Sequence, residues 1–286
     1  MATALVTDST AYLPPDLVDD LDVRVVPLHV VVGGREHREG VDITTGEVAA
    51  ALRAFTPVST SRPAPAAFLE AYEAAARGGA DSVVSVHISS ELSSTLGGAE
   101  LAAAQSPVPV TVVDSRALGM AMGHAVLAGA RAAARGAEAG AVADLVRRTC
   151  EASSVVFYVD TLEYLRRGGR IGRAGAMLGS ALAIKPILGL REGHIVPLER
   201  VRTASRAIAR LEELAAEAAE DAGRSGRGVD LAVHHLDSAE RADRLVERLT
   251  SRLPDVSVRV VELGAVVGAH VGPGTLAVAV VPRLDG

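Results

Sequence analysis

Hydroxyl and carboxylate side chains gather at a few points along this chain, each directly after a short β-branched run or before a helical one. Thr7-Asp8-Ser9-Thr10 follows the first such run, Thr60-Ser61-Arg62-Pro63 precedes an Ala-rich stretch, Ser89 to Thr95 reads SSELSST, and Asp114-Ser115 closes a fourth run. Side-chain hydroxyls and backbone N–H groups at helix starts either cap those helices or bind an anion, and these residues are open to both readings. A second group is cationic: Arg166, Arg167, Arg170 and Arg173 fall within eight residues, with Lys185, Arg200 and Arg202 further along. A solvated face, a phosphate site or a docking surface would each explain it. The third feature is His270, set among Gly264, Gly268, Gly272 and Gly274, where a tight glycine loop lets backbone approach a ligand closely. The eight histidines include no HxxxH pair and there is one cysteine, so no metal site is predicted.

The periodicity supplies the elements that would hold these groups. In the first half, strands are predicted at Ala4–Thr7, Val23–Val32, Ser82–Ile88 and Val110–Val113. Helices are predicted at Glu47–Phe55, Pro65–Arg77, Gly97–Gln105 and Gly119–Arg135, where apolar residues recur at helical spacing. Thr44 followed by Glu47 is a capping-box signal, and Asp237 with Glu240 suggests a second N-terminal cap. Strands alternating with helices imply a mostly parallel sheet covered on both faces, whose ligands bind at the C-terminal strand ends. The second half predicts strands at Ser154–Val159, Ala183–Leu190 and His194–Arg200, with Glu192-Gly193 as a hairpin turn. A helix from about Thr203 to Ala222 follows, then Leu231–His235, a helix over Ser238–Arg252, Val256–Leu263 and Leu276–Val281. The expected fold is therefore α/β in two domains, 1–152 with a mostly parallel sheet and 153–286 with a mixed or antiparallel one.

Composition narrows the function. Aromatic residues make up 2% of the 286 residues, which removes the stacking platforms that bind single-stranded nucleic acid. The net charge of −6 argues against a nucleic-acid or anionic-membrane surface. Lone Cys150 fits a reducing compartment, no signal peptide is read at the N-terminus, and Arg173 and Lys185 interrupt the most apolar stretch, so a cytoplasmic location is expected. Neither GxxxxGK[ST] nor a strand followed by GxGxxG and a helix occurs, so nucleotide binding by a standard loop is unsupported.

Taken in order, TDST, TSRP, SSELSST, VDS, LEYLRRGGRI, IKPIL, VRT and HVGPG resemble the DegV family of bacterial fatty-acid-binding proteins over nearly the whole chain. The resemblance implies two α/β domains around a buried long-chain fatty acid such as palmitate. It also implies a carrier, without enzymatic activity of its own, that presents the acyl carboxylate to a separate kinase subunit related to dihydroxyacetone kinases, a role in phospholipid metabolism. By the same match Thr60 and Ser93 are the carboxylate-binding hydroxyls, with Ser61 and Ser94 beside them. His270 is the loop histidine near the carboxyl group, and Arg170 and Arg202 face the kinase or the developing phosphate. The chain departs from the family pattern where Ser94 replaces a glycine and Leu96 an aromatic residue.

The physics of such a ligand is demanding. Roughly 15 buried methylenes at about 0.8 kcal/mol each give a gross term on the order of 12 kcal/mol before ordering costs. Gly172–Leu190, rich in Ala, Gly, Leu and Ile, suits either a tunnel wall or ordinary core. An unpaired buried carboxylate costs several kcal/mol, so the head group needs donors. Two other readings stand beside the carrier: a serine-type acyl hydrolase using Ser93, His270 and an aspartate such as Asp8, against which no G-x-S-x-G elbow occurs, and a lipid-dependent sensor or scaffold.

Overall fold

The computed structural model of the chain describes residues 2–177, 184–224 and 226–284. Its strands are β1 (Thr3–Asp8), β2 (Arg24–Val26), β3 (His29–Val32), β4 (Arg35–Arg38), β5 (Val58–Ser61), β6 (Ser82–His87), β7 (Val110–Asp114), β8 (Ser154–Tyr158), β9 (Lys185–Arg191), β10 (His194–Val201), β11 (Val229–His235), β12 (Ser257–Glu262) and β13 (Leu276–Pro282). The helices are α1 (Pro15–Asp20), α2 (Thr45–Arg53), α3 (Pro65–Arg77), α4 (Thr95–Ala103), α5 (Gly119–Ala134), α6 (Ala139–Ala152), α7 (Glu163–Arg167), α8 (Ala204–Gly223), α9 (Ala239–Arg252) and α10 (Ala265–Val271).

A parallel sheet in the order β2-β1-β6-β7 holds the N-terminal half together. One side carries α5 and α6 over a core that includes Leu5, Val84, Met120, Val126 and Val146. The other side carries α3 and α4 over Val6, Phe68, Tyr72, Val83 and Ala99. Because the strands are parallel, the polar residues that follow β1, β6 and β7 emerge at one edge, which is where a doubly wound sheet binds ligands. The C-terminal half forms a mixed sheet, β10-β9-β8-β13-β11-β12, in which only the β11–β12 pair is parallel. The α/β class and both sheet types agree with the periodicity. Sheet membership changes between α6 and β8.

Three differences from the sequence reading have identifiable causes. The run Val23–Val32 is two strands in different sheets, because Pro27 lacks the N–H that a continuous ladder needs. Its second piece, β3, pairs antiparallel with β4 and β5 in a separate three-stranded sheet. β4 reads REHR and β5 reads VSTS, so neither shows apolar alternation. The signal that was available is Gly33-Gly34, both at positive φ (56° and 84°), the demand of a two-residue hairpin turn. The α9 start is also different. Ser238 is its N-cap and makes no side-chain cap bond, while Asp237 stands at φ 50° and pairs with Arg53. Finally, His270 lies in the last turn of α10 rather than on the loop, and the GPG segment follows it. By contrast, the Thr44–Glu47 capping box forms in both directions.

α10 crosses between the halves. α10 belongs to the C-terminal half but packs on α2 and the three-stranded sheet, where Ala265 and Ala269 join Val30, Ile43, Val48 and Leu52 in one apolar core. Small side chains on α10 permit that close approach.

Candidate functional site

The site assembles from four segments that are distant in sequence. Thr60 sits on β5, Ser93 just before α4, Arg170 three residues after α7, and His270 at the end of α10. All four line one cavity of about 220 Å3, together with Leu165, Ile195, Val267 and Val271. Those four apolar residues belong to a buried cluster with Val159, Leu188 and Leu236, so the cavity that the polar groups line also opens onto hydrocarbon core. A second cavity of about 700 Å3, between β5, α7 and α10, shares Thr60, Arg170 and His270 with the first. Ile171, Ala174, Met177 and Ile184 belong to or pack on the same apolar cluster, whereas residues 178–183 of the expected tunnel segment lie outside the described residues.

The polar end is ordered by specific bonds. His270 Nε2 and Thr60 Oγ1 are 2.8 Å apart, across 210 residues of sequence. Burial, and then the positive charge of Arg170, pulls the His270 pKa down to about 4, so the ring is neutral near pH 7. Its buried Nδ1 faces Gly168 and has no hydrogen-bond partner among the described residues. A Cβ on Gly168 would stand 2.0 Å from that nitrogen, so the ring occupies space that only glycine leaves. Arg170 is itself anchored. Its Nε donates to Leu92 O at 3.0 Å and its Nη1 to Gly168 O at 2.7 Å, which fixes the guanidinium beside the cavity. Ser93 Oγ lies 2.8 Å from Thr95 Oγ1 and accepts from Thr95 N at the start of α4.

Ser61, Ser94 and Arg202 fare differently. Ser61 borders the cavity, yet its hydroxyl donates to Glu36 Oε1 at 3.0 Å, and that bond helps hold the Glu36 carboxyl below its ordinary range. Ser94 also borders the cavity but is exposed; its side chain makes no cap bond, and its carbonyl accepts from Arg62 at 3.5 Å. Arg202 is exposed just beyond β10 and is not part of the cavity wall. The suggested Ser93–His270–Asp8 triad does not assemble. Asp8 is fully buried and bonded to His87 instead, and His270 is bonded to Thr60. Among the described residues no group of three or more His, Cys, Asp or Glu side chains is placed to hold a metal ion, and no helix is long and apolar enough to cross a membrane.

Comparison with known proteins now places the chain. The model of the DegV family, described as an uncharacterised protein family, matches residues 2–283. A DegV domain-containing protein of Streptomyces coelicolor is 50% identical over 281 residues, covering 98% of each chain. The chain belongs to the DegV family. Among solved structures, a DegV family protein from Thermus thermophilus described by its fatty acid binding superimposes with a TM-score of 0.90 at 38% identity, over 99% of this chain and 100% of that one. DegV of Bacillus subtilis, described as a fatty acid binding protein, gives a TM-score of 0.90 at 31% identity with the same coverage.

Of the residues named from the sequence, Thr60, Ser61, Ser93, Ser94, Arg170 and His270 line the first cavity, while its apolar wall and the supports behind it were not named. Leu165, Val266 and Val267 lie in short elements whose periodicity is too brief to show a face. Glu39, which fixes the start of α10, is one glutamate among the charged residues that follow a hairpin, and no spacing marks it.

Proposed function

We propose that this DegV protein holds a long-chain fatty acid, its carboxylate between Thr60, Ser93, His270 and Arg170 and its tail in the apolar interior of the C-terminal half. The observation that carries this reading is that those four polar side chains line one cavity together with Leu165, Ile195, Val267 and Val271. The fatty acid binding named for the T. thermophilus and B. subtilis relatives supports it.

The chemistry of His270 gives the head-group end its polarity. If Nε2 carried no proton, Nδ1 would, and that N–H would be buried against Gly168 with no acceptor, at a cost of about 1–3 kcal/mol. The Nε2–H tautomer leaves an unpaired acceptor at Nδ1 in place of an unpaired N–H and keeps a donor for Thr60. It donates to Thr60 Oγ1, which leaves the Thr60 hydroxyl proton free to point at a ligand oxygen. Neutral donors then hold one side of a carboxylate, and the Arg170 guanidinium offsets its charge. An oxygen held this way stays accessible, which suits a carrier whose ligand is phosphorylated by a separate dihydroxyacetone-kinase-like subunit.

Two experiments test the reading. Organic extraction of the purified protein followed by mass spectrometry should release a long-chain fatty acid. Thr60→Val should bind a fluorescent fatty acid about ten- to a hundredfold more weakly, the value of one hydrogen bond to a charged group of about 1.5–3 kcal/mol. An extract without fatty acid, and a wild type that does not bind the probe, would refute the proposal. For the kinase step, Arg202→Glu should leave lipid content unchanged and abolish acyl-phosphate formation in a reconstituted assay. Undiminished acyl phosphate would remove Arg202 from the partner-facing set.

A further inference from the structure

One buried carboxylate bridges the two halves at the other end of the helix that carries His270. Glu39 lies just beyond β4 and is 5% exposed, sealed between the β1 end and α10. Its Oε1 accepts from the backbone N–H of Val266, in the first turn of α10, at 2.8 Å. The same oxygen is 3.4 Å from the Tyr12 hydroxyl, and Oε2 accepts from Ser9 Oγ. Ser9 Oγ in turn accepts from Leu28 N at 3.0 Å, and Leu28 lines the cavity. A Cβ on Gly264, at the α10 N-cap, would fall 2.3 Å from Glu39 Oε1, so this glycine leaves room for the carboxylate. Every partner of Glu39 is a donor, and among the described residues no cation pairs with it.

We propose that Glu39 is a proton-controlled latch: it fastens α10, and with it His270, to the N-terminal half, and its ionisation loosens that attachment. The direction follows from linkage. Burial raises the Glu39 carboxyl from its ordinary 4.5 to about 7, with the Asp8 charge adding to the rise and the bonds from Ser9, Val266 and Tyr12 opposing it. Detaching α10 would hydrate the carboxylate and return it toward the ordinary value. The closed form thus binds the proton more tightly, and raising pH favours opening by up to about 300-fold, complete above pH 7. Two other groups on this side of α10 are held away from that range. Burial and the Glu39 charge raise Tyr12 well above its ordinary value, and burial lowers His234, edge-on to Tyr12, to about 4.

The protonated form also fits the geometry. An O–H on Oε2 can donate to Ser9 Oγ, reversing the direction of that bond, while Oε1 keeps its bond from Val266. Ser9, one of the hydroxyls in the TDST segment, is therefore a support for Glu39 rather than a ligand contact.

Hydrogen exchange of the α10 amides in ligand-free protein tests the latch without using the lipid reading. After correction for intrinsic rates, protection at Gly268 to Gly272 should fall as pH rises from 5 and level off above about 7. Glu39→Gln should show high protection with no such fall. Ser9→Ala, which removes a donor to the ionised form, should move the transition to higher pH. An unchanged pH profile in Glu39→Gln, or a flat one in the wild type, would overturn the proposal. The ligand arm rests on the carrier reading: release of a fluorescent fatty acid should quicken with pH in the wild type and not in Glu39→Gln. If the protein binds no fatty acid, the carrier reading fails and the exchange result alone decides the latch.

Discussion

Replacing Gly168 with alanine is expected to weaken fatty acid binding by about ten- to a hundredfold while leaving the fold in place. The residue is the C-cap of α7 at φ −73°, so alanine meets no backbone obstacle there. The obstacle is the His270 ring, whose Nδ1, Cε1 and Cγ would lie 2.0, 2.8 and 3.2 Å from the new methyl. The ring cannot stay, and turning it away breaks the 2.8 Å contact with Thr60. The ligand then loses the donor chain His270–Thr60, and a hydrogen bond to a charged group is worth about 1.5–3 kcal/mol, which sets the expected range. Gly140→Ala is the control. It lies inside α6 with nothing within 4 Å of its would-be Cβ, so it should leave binding unchanged and raise stability by up to about 1 kcal/mol. Titration with a fluorescent fatty acid, alongside urea unfolding of both variants, decides the matter. Equal affinity in Gly168→Ala and wild type would mean that His270 does not contribute to the head-group site.

The contrast between what the sequence showed and what it hid follows one physical line. Pro65–Arg77 is a helix at the predicted limits because a proline begins it, a glycine follows it and thirteen residues carry a clear 3.6 period. The β9–β10 hairpin was readable from Glu192-Gly193, both at positive φ. Polar residues at strand ends were legible for the same reason: a parallel sheet gathers its C-terminal ends on one edge. What escaped was anything decided by contacts between distant segments. β4 is built from Arg35, Glu36, His37 and Arg38, and only its pairing with β3 makes it a strand. α10 is seven residues long, and its position depends on Glu39, Val30 and Leu52 from the other half. The hydroxyl-rich clusters also proved to be of different kinds. Asp114 caps the Ser90 and Arg116 amides, Ser61 is spent on Glu36, and Thr60 and Ser93 face the cavity.

Asp8 illustrates that division most fully, and its removal should have the largest effect on stability. The side chain has no exposure, and its two oxygens accept from four donors. Oδ1 takes the Thr10 N–H at 3.0 Å and the Thr10 hydroxyl; Oδ2 takes the Ile88 N–H at 2.9 Å and pairs with His87 Nδ1 at 3.1 Å. His87 continues to Ser85 Oγ at 2.7 Å, and Ser85 to the Tyr72 hydroxyl at 2.9 Å, all within the core. This chain of bonds stitches the end of β1 to the end of β6, and so places Ile88, a residue of the cavity wall. Asp8→Ala leaves three buried N–H groups without an acceptor, and its cost should be about 3–5 kcal/mol in urea unfolding, enough to leave much of the protein insoluble. Asp8→Asn keeps one acceptor oxygen but turns an amide N–H2 toward donors, and should cost about half as much. The order Ala worse than Asn, seen in unfolding and matched by a parallel loss of lipid, marks Asp8 as a structural anchor of the site. A catalytic aspartate would behave otherwise: its removal would spare stability and abolish hydrolysis of an activated ester, and such a result would return the acyl-hydrolase reading to contention.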